Sequence, residues 1–139
     1  MTDYPESPVK VKNDHLEQID DDHMHHLGVT KQASSSCTFI RYVAMGGSND
    51  RMEQFAYKVA EKLGLPKDEV KQIGTNTRYV VFVVGPVMVA SHGMGNPSIS
   101  VVLTEICKLL NYAKADAVWI RMGTCGGIGL EPGTVVISE

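Results

Sequence analysis

The stretch CTFIRYVAMGGSNDRMEQFAYKVAEKLG, residues 37–64, decides the fold class. Cys37 to Met45 mixes β-branched and aromatic residues, which predicts a strand. The pair Gly46–Gly47 breaks that pattern. A helical period then takes over, with Met52, Phe55, Ala56, Val59 and Leu63 on one face. Gly64 suits the C-terminal cap of this helix, and Pro66 enforces the stop. A strand that turns through glycines into a helix is the building unit of an α/β protein.

The same unit recurs further along the chain. RYVVFVVGPVMVASHG, residues 78–93, predicts two short strands around a turn at Gly85–Pro86. NPSISVVLTEICKLLNY, residues 96–112, predicts a helix with Asn96 as its cap and Pro97 at its first position. Ile99, Val102, Leu103, Ile106 and Leu110 form its apolar face. AVWIRM, residues 117–122, predicts another strand, and GTVVIS, residues 133–138, a last one. The expected architecture is α/β, a central mixed, largely parallel sheet flanked by helices. Residues 1–25 are polar, with Pro5, Pro8 and the run Asp20 to Asp22, and predict a flexible arm before a domain at 26–139. His23, His25 and His26 raise the question of a metal, but no later Cys/His pair has ligand spacing, so a polar arm without metal is expected.

The 139 residues suffice for one domain, and an apolar share of 43% suffices for a core. The net charge of −3 argues against the concentrated basic surface that nucleic acid requires. Three cysteines, odd in number and widely spaced, argue against a disulfide framework and fit a reducing compartment. MTDYPESPVKVKND at the N-terminus lacks the apolar segment of a signal peptide, and no apolar run reaches the roughly 18 residues of a spanning helix. A cytoplasmic protein, bound to neither membrane nor nucleic acid, is expected.

Three glycine loops carry the candidate chemistry. In GGSNDRM, residues 46–52, a helix starts just after a glycine pair. Helix N-termini offer unpaired N–H groups and partial positive charge to anions. Arg51 has the wrong sign for that end of a helix, at a cost of roughly 0.3–1 kcal/mol, which a bound anion would reverse. An exposed arginine in an ordinary turn explains the loop equally well. In SHGMGNPSI, residues 91–99, His92 reads as a structural histidine in a tight turn more readily than as a catalytic one. IRMGTCGGIG, residues 120–129, has neither the G-x-G-x-x-G register nor the Lys-Ser/Thr of a P-loop. Arg121 ends a strand where α/β sheets place ligands, and offers a rigid fork of donors. With the Thr124 hydroxyl and free glycine amides it suits a multi-oxygen anion such as phosphate. Cys125 lacks a paired histidine and reads as a small packed residue rather than a nucleophile.

HLGVTK, GGSNDRM, TRY, VGPV, SHGMGNPSIS and IRMGTCGGIGLEPGTVVIS, from about residue 24 to the end, closely resemble the uridine phosphorylases of the nucleoside phosphorylase superfamily, the animal-type enzymes included. They stand in the family's order and with its spacing. The resemblance implies a phosphate site of Gly47, Arg51, Arg121 and Thr124, completed by Arg78 reaching in from a neighbouring subunit. It implies that His26 crosses the same interface to the ribose 5′-hydroxyl, and that Cys125 and Gly126 lie beside the nucleoside. It implies a dimeric catalytic unit and the reversible phosphorolysis of uridine to uracil and ribose 1-phosphate. Phosphate is then a substrate, with no metal or organic cofactor. His92 matches no catalytic residue of the family, and the family usually has Ser or Thr where this chain has Cys125.

The resemblance further implies that the chain is truncated and corresponds to the N-terminal half of a nucleoside phosphorylase domain. The Gln and Arg that read uracil and the Glu-Met-Glu stretch that binds the ribose hydroxyls would follow residue 139. Other readings stay open: a regulatory chain that pairs with a full-length subunit, a purine nucleoside phosphorylase, or a generic phosphate-binding α/β module.

Overall fold

The computed structural model describes His15, residues 20–75 and residues 78–138. Most of the arm expected at 1–25 therefore lies outside the described residues. Within its last residues His23–Met24 (β1) pairs antiparallel with Val29–Thr30 (β2) around a turn where Gly28 has φ 67°. A 3₁₀ helix, Lys31–Cys37, leads from this hairpin to the main sheet.

That sheet has five strands in the order β4-β5-β6-β3-β7. They are β3 (Tyr42–Gly46), β4 (Lys71–Ile73), β5 (Val81–Val84), β6 (Val87–Ser91) and β7 (Val118–Arg121). β3 runs parallel to both β6 and β7, whereas β5 runs antiparallel to both of its neighbours, β4 and β6. The sheet is thus mixed, and its parallel part is the trio β6-β3-β7.

Helices cover both faces. On one side α1 (Asn49–Leu63) packs Met52, Ala56 and Ala60 against Ala44, Phe82, Val84 and Val89. On the other, α2 (Asn96–Ala113) packs Val102, Ile106, Leu109 and Leu110 in a core with Val43, Met45, Val81, Val83 and Met88. Alternate strand residues serve opposite faces, which explains why β5 is buried at all of its positions. Ser48 caps α1 by accepting the Arg51 N–H at 3.5 Å, and Gly64 closes it in the left-handed conformation with φ 69°, as its sequence position predicts.

Four expectations about elements need correction. The strand predicted from Cys37 begins at Tyr42, because residues up to Cys37 wind into the 3₁₀ helix and Ile40 turns inward, fully buried. Asn96 does not cap α2; the cap position is Gly95 at φ 82°, with no side-chain bond. Leu63 is 46% exposed, because α1 buries the small residue Ala60 one turn earlier. GTVVIS forms no strand. Thr134 folds back on the Glu131 carbonyl through its N–H and its hydroxyl, at 3.2 and 2.7 Å. Beyond it Val135, Val136 and Ile137 are exposed and join no ladder among the described residues. Strand propensity alone does not hold an unpaired segment extended.

Candidate active site

β3, β6 and β7 are adjacent and parallel, so their C-terminal ends share one edge of the sheet. The three glycine loops leave from that edge. In the ladder Gly46 lies opposite Ser91, and Met45 lies opposite Arg121. The alignment continues one residue into each loop: His92 N–H donates to the Gly46 carbonyl at 2.8 Å, and Met122 N–H to the Met45 carbonyl at 2.7 Å. Segments far apart in sequence are held together by backbone bonds.

Between the first and third loops opens a cleft of about 200 Å³, lined by Gly46, Gly47, Arg51, Met52, Phe55, Met122, Gly123 and Thr124. Its floor is apolar, from Met52, Phe55 and Met122. Its remaining lining is the glycine pair before α1, Arg51 in the first turn of that helix, Gly123 and Thr124. Such a lining presents donors and positive charge without a carboxylate, the composition an oxyanion requires. Gly46 is packed tightly: a Cβ there would come within 2.3 Å of Met52 Sδ. The loop can approach α1 closely because it carries no side chain at that point.

The structure thus brings Gly47, Arg51 and Thr124 to one cleft. Arg121 closes β7 beside it, with its guanidinium about 3.4 Å from where a Gly123 Cβ would stand. Cys125 and Gly126 follow in an exposed segment, so Cys125 is not the packed residue its sequence suggested, and nothing lies within 4 Å of a Cβ built at Gly126. Arg78 is elsewhere: exposed, between β4 and β5, with its guanidinium 5.6 Å from the Tyr79 ring centre. Tyr79 is buried and anchored by its hydroxyl to Ser98, at 2.9 Å from the side-chain oxygen and 3.1 Å from the carbonyl. His26 also lies outside the cleft, on the β1–β2 turn, with Nδ1 2.7 Å from Glu105 on α2.

His92 is 5% exposed and does not line the cleft. Its Nδ1 lies 2.9 Å from the Gly93 carbonyl, and Nε2 is buried without a hydrogen-bond partner among the described residues. Its ring packs behind Gly47, as the reading of a structural histidine expects. Among the described residues no group of His, Cys, Asp and Glu is placed to hold a metal, and no helix is long and apolar enough to cross a membrane. Cys37, Cys107 and Cys125 are free thiols; burial pushes Cys37 up to about 11 and raises Cys107.

Sequence reading missed Glu105 and the set Asp22, Lys108 and Tyr112. Lys108 Nζ lies 2.6 Å from Asp22, and the Tyr112 hydroxyl donates to Asp22 at 2.7 Å. A usable signal was present: Glu105 is the lone acid of the largely apolar segment 96–113, a residue type rarely placed beside a core without a partner.

The sequence profile of the phosphorylase superfamily matches residues 41–139. Uridine phosphorylase 2 of Homo sapiens is 44% identical over 138 residues, which cover 94% of this chain and 44% of that protein. Inactive uridine phosphorylase B of Schistosoma mansoni is 35% identical over 133 residues, 93% of this chain and 45% of its own length. A solved uridine phosphorylase structure from the oomycete Phytophthora capsici superposes with a TM-score of 0.83 at 45% identity, covering 92% of this chain and 46% of that one. The chain spans less than half the length of the relatives it matches.

Proposed function

The chain belongs to the phosphorylase superfamily, and on that premise we propose that it supplies the phosphate-binding half of a uridine phosphorylase. The single observation that carries this reading is the convergence of Gly47, Arg51 and Thr124 on one cleft, with Arg121 at its edge. In the proposed reaction phosphate is the nucleophile. One of its oxygens bonds to the anomeric carbon of uridine as the C–N glycosidic bond breaks, and the bonding pair leaves with uracil. Ribose 1-phosphate and uracil are the products. Bond breaking runs ahead of bond making, so the ribose gains oxocarbenium character, and a phosphate held in line beside it stabilises that charge. Arg51 and Arg121 neutralise the phosphate, Thr124 and the Gly47 amide orient it, and Cys125 and Gly126 lie on the nucleoside side.

Arg78 and His26 lie away from this cleft in their own chain, which supports the proposal that each serves a neighbouring subunit, Arg78 at phosphate and His26 at the 5′-hydroxyl. The proposed working unit is a dimer, in the cytosol, with phosphate as substrate and no cofactor. On this reading, contacts to the base and to the ribose hydroxyls fall to the part of the relatives that the chain does not cover.

A second reading is favoured by a different observation. Val118, Ile120, Ile128, Leu130 and Val135 to Ile137 are all exposed, and one matched relative is named as inactive. The chain would then pair with a full-length subunit and modulate it. Calorimetric titration with phosphate, followed by uridine or a purine nucleoside, tests the first reading. Phosphate binding that uridine strengthens supports it. Phosphate binding indifferent to uridine reduces the chain to a generic phosphate module, and strengthening by the purine nucleoside alone would move it to a purine phosphorylase.

A further inference from the structure

Glu105 has no part in the reading above, yet it dominates the surroundings of His26. Its side chain is 12% exposed, on the flank of α2, and both of its oxygens lie 3.1 Å from the His26 backbone nitrogen. One of them, Oε2, also accepts the Leu27 N–H at 2.8 Å, while Oε1 sits 2.7 Å from His26 Nδ1. An ionised carboxylate has acceptors and no donors, so the ring nitrogen that faces it carries the hydrogen. That holds whether the ring is neutral or protonated. The ring is 47% exposed, and no described residue hydrogen-bonds its Nε2. The backbone beneath it is pinned as well, because Leu27 and Met24 are buried in the core on either side.

We infer that Glu105 is the positioning residue for His26. It fixes the Nδ1–H tautomer and turns the Nε2 lone pair outward as an acceptor for a hydroxyl donor. This rests on the reading of His26 as the group that meets the nucleoside 5′-hydroxyl. It adds the direction of that bond, with the ligand donating and the histidine accepting, and so a preference for a free hydroxyl at that end of the substrate.

Nitrogen-15 NMR of the histidine rings in the 139-residue chain, at a pH where they are neutral, tests the inference. His26→Gln assigns the signal. The expected spectrum shows a protonated Nδ1 and an unprotonated Nε2, the reverse of the form an unconstrained imidazole favours. In Glu105→Gln the amide can donate to Nδ1, so the ring should pass to the Nε2–H form while the backbone spectrum stays dispersed. If that variant does not fold, the wild-type tautomer decides alone. An Nε2–H ring in the wild type, or the same tautomer mixture in both proteins, overturns the inference whatever His26 does. The reading beneath it is tested separately, with uridine and 5′-deoxyuridine on the chain assembled into an active phosphorylase. Glu105→Gln should weaken uridine by about tenfold, the worth of one hydrogen bond, and leave 5′-deoxyuridine unchanged. An expected tautomer with no discrimination between the two nucleosides would sink the role of His26 and leave that of Glu105 standing.

Discussion

Arg121, Thr124 and Cys125 stand within five residues, yet they carry different weight. Arg121 brings charge and a planar donor fork to the cleft edge, so Arg121→Ala should abolish phosphate binding measured by calorimetry, while Arg121→Lys should recover only part of it. Cys125 offers a thiol, a weak hydrogen-bond donor, where the family resemblance leads one to expect a hydroxyl. Cys125→Thr should therefore raise uridine turnover in the chain completed by the C-terminal half of a relative it matches; unchanged turnover would mean that the hydroxyl is dispensable. Away from the cleft, Asp22 is nearly buried. Burial pushes its carboxyl up, but the bonds from Lys108 and Tyr112 outweigh that and leave it lower than the ordinary value of 3.8. A depressed carboxylate contributes stability that is complete above pH 3.8 and lost as pH falls below it. Tyr112 is the opposite case. Burial, then the bond and charge of Asp22, push it up to about 12 from 10.0, so its contribution is complete below pH 10.0 and lost as pH rises toward about 12. Thermal unfolding against pH should show both slopes in the wild type. Asp22→Asn should flatten the acid slope and cost about 1–3 kcal/mol.

At the scale of elements, α2 ends at Lys114, which is left-handed at φ 52° without being glycine. Its N–H still bonds to the Asn111 carbonyl and the next residue's to Leu110, so the turn is a sound cap with a strained residue in it. Lys114→Gly should raise the midpoint of thermal unfolding, by about 1 kcal/mol of stability, since the left-handed cost at a Cβ-bearing residue is about that size. Leu110, fully buried beneath the same helix, should cost about 2–5 kcal/mol when truncated to Ala. Both helices and the strands β3, β5, β6 and β7 were legible in the sequence, because each combines a clear period with glycine or proline punctuation. The rest was not, for a common reason. β1, β2 and β4 have three residues or fewer, too short to show a period, and they exist through pairing and anchoring. The β1–β2 hairpin is tied to α2 by Asp22 to Lys108 and Tyr112, by Glu105 to His26 and Leu27, and by Lys31 over the Tyr112 ring at 4.9 Å. GTVVIS shows the converse, a strong strand composition with no ladder to join.

For the whole molecule, parallel pairing turns three separate motifs into one place. Each glycine loop alone is a weak signal, and local sequence does not reveal that the loops share an edge; the order β6-β3-β7 brings them there. Gly47, Arg51 and Thr124 could be proposed together from the sequence because their motifs stand in the family's order. Their common cleft is a property of the sheet. Arg78 and His26, which the resemblance groups with them, do not line that cleft in their own chain. Uracil release from uridine, with and without inorganic phosphate, tests the central claim most directly. It should be measured on the 139-residue chain completed by the C-terminal half of a relative it matches, with Arg121→Ala as control. The account predicts release that requires phosphate, yields ribose 1-phosphate and disappears with Arg121. Release that proceeds without phosphate, or that survives the loss of Arg121, would contradict it.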